Sequence, residues 1–176
     1  EATAATLAKI PARDALLTRI RELDAASPGL ISRIERTPSG RVFFLRRDPS
    51  DNQFKLYWRD GLGGVDQLIV DPEAISKQLG RLHAVNDYSA SPDGRHLAYS
   101  LQLAGSEIGQ LHVIDVASGK PVIEPIDRIR FAGVSWLDDS SGFFYFRLRE
   151  GYEKLPQTER FGDTTRHFRS MKNADH

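Results

Sequence analysis

The sequence predicts a mainly β fold: a partial β-propeller of about three blade units of antiparallel strands, preceded by an N-terminal helical segment. Three observations predict it. From Gly40 onward the chain is a series of short apolar or alternating runs bounded by Gly, Pro, Asp and Ser, which is the pattern of strands and turns. A unit made of a turn followed by an apolar strand recurs, first as "TPSGRVFFLRR" at 37–47, then as "SPDGRHLAYSL" at 91–101, then as "LDDSSGFFYFRL" at 137–148. A second ladder, "LYWRDG" from Leu56, "LHVIDVASG" from Leu111 and "HFRSMKNAD" from His167, keeps nearly the same step. Both ladders have a period of roughly 50 residues, the length of one propeller blade with some extra loop. A plain sandwich would also space its strands evenly, but it gives no reason for the whole unit to recur in register.

The lead comes first. In "IPARDALLTRIREL" the residues Leu16, Leu17, Ile20 and Leu23 recur at helical spacing, with Pro11 placed as a first-turn proline and "SPG" at 27–29 as a stop. A helical lead over about residues 3–25 follows, and the chain divides into a lead segment, 1–30, and an incomplete propeller, 31–176. The expected strands are 41–46, 54–59, 66–70, 96–101, 110–116, 131–136, 142–148 and 165–170, with a helical turn or two at 72–79. Three blades do not close a ring, so the sequence reads as a fragment or as a chain completed by a partner.

Composition narrows the function classes. Lys plus Arg equals Asp plus Glu at 24 each, and no run of five like charges occurs, so neither nucleic acid nor an anionic membrane is an expected partner. There is no cysteine, which removes disulfides, thiolate metal sites and cysteine nucleophiles without assigning a compartment. The chain opens on Glu1 and shows neither a leader peptide nor an apolar run long enough to span a membrane.

Ser91, Asp93 and His96 supply the three residue types of a hydrolase triad, yet they share one turn. Proline that presets φ, an aspartate that caps its own loop and a glycine at positive φ account for that spacing as a turn entering a strand. Gly133-Val134-Ser135-Trp136-Leu137 approaches a nucleophile elbow but has Leu in place of the second glycine. The histidines 83, 96, 112, 167 and 176 never pair at metal-ligand spacing, and "DPSDNQ" at 48–53 and "GLGG" at 61–64 read as loops. No catalytic residue, metal ligand or cofactor site is therefore expected in the chain. Phe131 stands apart from the other aromatics because it opens its strand just after the charged "DRIR".

These segments, taken in order, resemble the prolyl oligopeptidase family of serine peptidases. "TLAKIPARDALLTRIREL" resembles its helical segment before the propeller, and "NQFKLYWRDGLGG" with "LIVDP" its first blade. "SPDGRHLAYSLQLAGSE" through "LHVIDVASGK" resembles the second blade, "IDRIRFAGVSWLDDSSGFFYFRL" the next, and "RHFRSMKNAD" the strand that follows. The resemblance implies a seven-bladed propeller capping an α/β-hydrolase domain that cleaves short proline-containing peptides after proline through an acyl-enzyme, with the propeller restricting entry. The family's Ser, Asp and His lie beyond the blades, and nothing here matches them or the family's opening Asp-Pro-Tyr-Arg-Trp motif. On this resemblance the chain is an internal piece without a nucleophile, whose partner is the missing hydrolase domain. Phe131, in "RIRF", matches a phenylalanine lining the peptide pocket between the domains. Glu107, in "GSE", matches an acidic residue facing an arginine of the catalytic domain, although Ile108 departs from the family pattern. The competing reading is a free-standing propeller-like binding module that completes its ring by self-association.

Overall fold

The computed structural model describes residues 2–26, 28–103, 105–130, 133–156, 158–162 and 164–172. Helix α1 (Ala2–Leu7) and helix α2 (Arg13–Ala26) form the lead. Residue 12 breaks them apart by taking φ 60°, so Pro11 precedes α2 and does not sit in its first turn as the sequence suggests. The apolar side chains of α2, Leu16, Ile20 and Leu23, lie exposed on one stripe.

Three antiparallel sheets follow, each a meander in chain order. The first contains β1 (Leu30–Arg36), β2 (Arg41–Arg47), β3 (Lys55–Asp60) and β4 (Gln67–Val70). Helix α3 (Pro72–Leu79) carries the chain to the second, made of β5 (His83–Ala90), β6 (His96–Leu103), β7 (Gly109–Asp115) and β8 (Ile126–Ile129). The third holds β9 (Ser135–Trp136), β10 (Gly142–Leu148) and β11 (Thr164–Ser170). Helix α3 is a full eight-residue helix because Asp71 caps it, its Oδ1 accepting from the backbone N–H groups of Glu73 (2.9 Å) and Ala74 (3.1 Å).

The sheets stack face to face, and alternation along each strand supplies both faces. Phe43, Leu45, Leu56 and Trp58 of the first sheet pack on Tyr88, Leu97, Tyr99 and Ile114 of the second. The opposite face of the second, with Ala98, Leu111 and Val113, packs on Phe143, Trp136 and Tyr145 of the third. This is the blade stack of a propeller. The sequence misses β1, β5 and β8, and each has a register shift against its neighbour that interrupts the two-residue alternation. It also draws 131–136 as one strand, whereas the described strand is confined to Ser135–Trp136.

The repeated turns stack with the blades. The backbone N–H groups of Thr37, Ser91 and Leu137 donate to the carbonyls of Arg41, His96 and Gly142, each at 2.9 Å. Structurally, then, Arg41 matches His96, one residue beyond the Arg95 that the quoted segments align with it, and Asp138 takes the place of Pro92. A one-residue slip would turn every strand side chain to the wrong face, so strand register overrides the Gly-Arg likeness. Successive turns also touch: Ser39 N donates to Pro92 O (3.3 Å), Arg41 Nη1 to Gly94 O (2.8 Å), and Asp93 N to Ser140 Oγ (3.1 Å).

Candidate functional site

The meander topology sorts the connections into two ends. One end carries the tight turns at 37–40, 91–95 and 137–141. The other carries the loops at 48–54, 71–82, 104–108, 130–134 and 149–163. Glu107 falls at this second, loop-rich end. Phe131 itself lies outside the described residues, between Arg130 and Gly133.

Glu107 is placed by a buried glutamine. The Gln102 side-chain amide donates to the carbonyl oxygens of Glu107 (3.0 Å) and Arg130 (3.1 Å), so one side chain ties the loop before β7 to the segment after β8. Ser106 tightens the same loop, its Oγ donating to Ile108 O (2.8 Å) and accepting from Ile108 N (3.1 Å). The Glu107 carboxylate accepts from Arg130 Nε (3.2 Å) and Nη2 (3.0 Å), both on Oε2. The Arg130 guanidinium in turn lies 3.7 Å from the ring centroid of Phe161, on the loop of the third sheet. Three loops from two blades therefore converge on the residue that immediately precedes Phe131. Arg130 and Phe161 escaped the sequence reading, because only folding brings 107, 130 and 161 together.

A small apolar hollow of about 150 Å³ opens beside this cluster, lined by Arg130, Gly133, Phe146, Leu148 and Thr164. A larger cavity of about 740 Å³ lies at the same end, lined by residues of α3, the second sheet and the third. Its lining includes Leu101, Leu103 and Ile108 together with Arg128, Arg147 and Glu150.

Ser91, Asp93 and His96 are arranged as a turn. Ser91 Oγ donates to Asp93 Oδ1 (2.5 Å) and accepts from the backbone N–H of His96 (2.9 Å), while the His96 ring stacks on Trp136 across the blade boundary. The imidazole thus faces a tryptophan and not the serine. Burial opposes ionisation of Asp93, but hydrogen bonds from Ser91 and the Arg95 N–H outweigh it and hold the carboxyl below its ordinary value. Ser135 is exposed on β9 opposite Phe144. Among the described residues no three His, Asp or Glu side chains gather as a metal cage.

The family model described as "Prolyl oligopeptidase, N-terminal beta-propeller domain" matches residues 1–165. This chain belongs to the prolyl oligopeptidase family. Among its relatives, a prolyl endopeptidase of Elizabethkingia miricola is 31% identical over 104 residues, covering 59% of this chain and 14% of the relative. Prolyl oligopeptidase A of Galerina marginata is 31% identical over 114 residues, covering 58% of this chain and 15% of the relative. A solved prolyl endopeptidase superposes with a TM-score of 0.84 at 31% identity, over 97% of this chain and 24% of that one. The chain therefore spans less than a quarter of the length of these relatives. What the match establishes is the propeller portion of the prolyl oligopeptidase fold, which fits the blade stack described above.

Proposed function

We propose that the chain forms the substrate-access portion of a prolyl oligopeptidase-like serine endopeptidase. In that enzyme an α/β-hydrolase domain cleaves short proline-containing peptides after proline through an acyl-enzyme, and the propeller restricts which peptides enter. The observation that carries this reading is the superposition of nearly the whole chain on a prolyl endopeptidase at 31% identity. Within it, residues 1–30 are the lead and 31–176 the propeller portion, Phe131 lines the peptide pocket, and Glu107 meets an arginine of the hydrolase domain. The Glu107 geometry supports its role: Arg130 occupies Oε2 alone, which leaves Oε1 open to a second guanidinium.

A chimera tests it. The 176-residue chain replaces the corresponding segment of the Elizabethkingia miricola enzyme, and cleavage of a chromogenic Gly-Pro peptide is followed. The chimera is expected to cleave the peptide, Phe131→Ala to raise KM by roughly tenfold through lost pocket contact, and the isolated chain to resist labelling by a serine-directed fluorophosphonate. A folded but inactive chimera, or labelling of the isolated chain at one serine, overturns the reading.

One observation favours a second reading, a propeller module completed by a second copy of itself. The outer face of the third sheet exposes Phe144, Phe146 and Phe168 at 39, 44 and 49%. An apolar sheet face of this kind templates packing against another sheet. Light scattering tests it: a monomer at high concentration removes the module, whereas a dimer that Phe168→Ser dissociates is required by the module and equally expected of a fragment with open blade edges.

A further inference from the structure

The larger cavity has a feature that the peptidase reading does not use. Strand β8 bulges against β7: three residues of β7 (Gly109 to Leu111) are matched by four of β8 (Ile126 to Ile129). The extra length is absorbed at Arg128, which takes φ 61°, a left-handed conformation that only glycine adopts without cost. A non-glycine residue held there on a cavity wall is a reason to ask what its side chain serves.

Arg128 is short of a counter-ion. Its Nε lies 3.6 Å from Asp127 Oδ1, but that same oxygen is taken by Arg147 Nη2 from β10. Two guanidiniums thus share one carboxylate, and no other described residue neutralises Arg128. Glu150, just before the 3₁₀ turn at Tyr152–Lys154, and Glu153, within it, also line the cavity, and neither is paired among the described residues. The same lining holds the apolar side chains of Leu101, Leu103 and Ile108, with His83, Gln110 and His112 among its polar members. The volume of about 740 Å³ falls within the range of small-ligand sites.

An under-neutralised cation, apolar side chains and unpaired carboxylates in one cavity suit a small zwitterion with an apolar body. We propose that this cavity binds a short free peptide ending in an apolar residue, its α-carboxylate on Arg128, its last side chain against Leu101 and Leu103, and its α-ammonium toward Glu150 and Glu153. A guanidinium–carboxylate contact supplies the strongest polar interaction the site can make, and the apolar wall selects the terminal side chain. The proposal concerns binding by this chain alone, so its outcome is separate from that of the chimera.

The test is titration of the ¹⁵N-labelled 176-residue chain with the tripeptide Ala-Ala-Leu, its C-terminal amide and its N-acetyl form. Saturable shifts are expected in the amides of residues 101–103 and 108–110. Amidation should weaken binding by about tenfold, the scale of one charge-assisted contact, and acetylation by less, because the glutamates are more solvated. Arg128→Gly removes the guanidinium and suits φ 61°, so it should abolish carboxylate selectivity without lowering Tm. Arg128→Gln is read in parallel and should lose the same selectivity. Asp127→Asn should tighten carboxylate binding. Absence of saturable shifts up to about 10 mM peptide, where even weak specific sites fill, or equal affinity for acid and amide, overturns the proposal. So does unchanged selectivity in both Arg128 variants.

Discussion

Arg33, on β1 of the first blade, reaches across to Asp87 on β5 of the second, and both sit where their strands bulge. Arg33 takes φ 52°, and its guanidinium pairs with the Asp87 carboxylate while Nη1 donates to Asn86 O at 2.9 Å. Beside them Glu35 Oε1 accepts the Ala90 N–H (3.1 Å), and Tyr88 donates its hydroxyl hydrogen to Phe43 O (3.2 Å). The first strands of two blades are thus clasped by side chains that the bulges aim at each other.

This clasp should respond to pH. Burial pushes the Glu35 and Asp87 carboxyls above their ordinary values; the Ala90 N–H and Arg33 oppose this for Glu35, and Arg33 and the Tyr88 N–H oppose it for Asp87. A carboxyl raised in the folded state favours folding most when protonated, and that contribution is lost as pH rises through its folded value. Glu35→Gln keeps an acceptor for Ala90 and removes the charge. Its Tm relative to the parent chain should therefore rise from pH 4 to pH 7, and thermal melts across that range check it.

The stacked turns leave no room for a side chain at Gly94. A Cβ there would lie 2.7 Å from Ser39 Oγ and 2.8 Å from Arg41 Cδ, at φ 71°. Gly94→Ala should cost about 2 kcal/mol through strain and displaced turn contacts, read from urea denaturation.

Gln102 is the buried support of the candidate site. Gln102→Leu leaves the carbonyls of Glu107 and Arg130 without their donor, at a cost of about 1–3 kcal/mol. Hydrogen exchange should accelerate at residues 105–109 and 130. Glu107→Ala, at an exposed pair, should cost no more than about 1 kcal/mol.

Asp71 serves two elements. It caps α3 and lies 3.4 Å from Lys55 Nζ on β3, where Asp51 also holds the ammonium at 2.8 Å. Asp71→Ala should cost about 1–2 kcal/mol, whereas Asp71→Asn, which keeps the capping oxygen, should cost less. Circular dichroism with denaturant titration separates the two.

What the sequence determined by itself is the recurring unit. "TPSGRVFFLRR" and "SPDGRHLAYSL" announce turn and strand through local chemistry, a proline, a glycine at positive φ and an apolar run, and their order along the chain was enough to mark the family. The triad types in "SPDGRHLAYS" resolve locally too, since a turn already satisfies Ser91 and Asp93. Folding decided the rest. Strands β1, β5 and β8 are legible only against their partners, because a bulge breaks alternation and pairing, not composition, restores it. The Glu107–Arg130–Phe161 cluster and the Arg33–Asp87 clasp join residues 23 to 54 positions apart. Side chains that far apart meet only once strands pair within a blade and neighbouring blades stack, which no local pattern records.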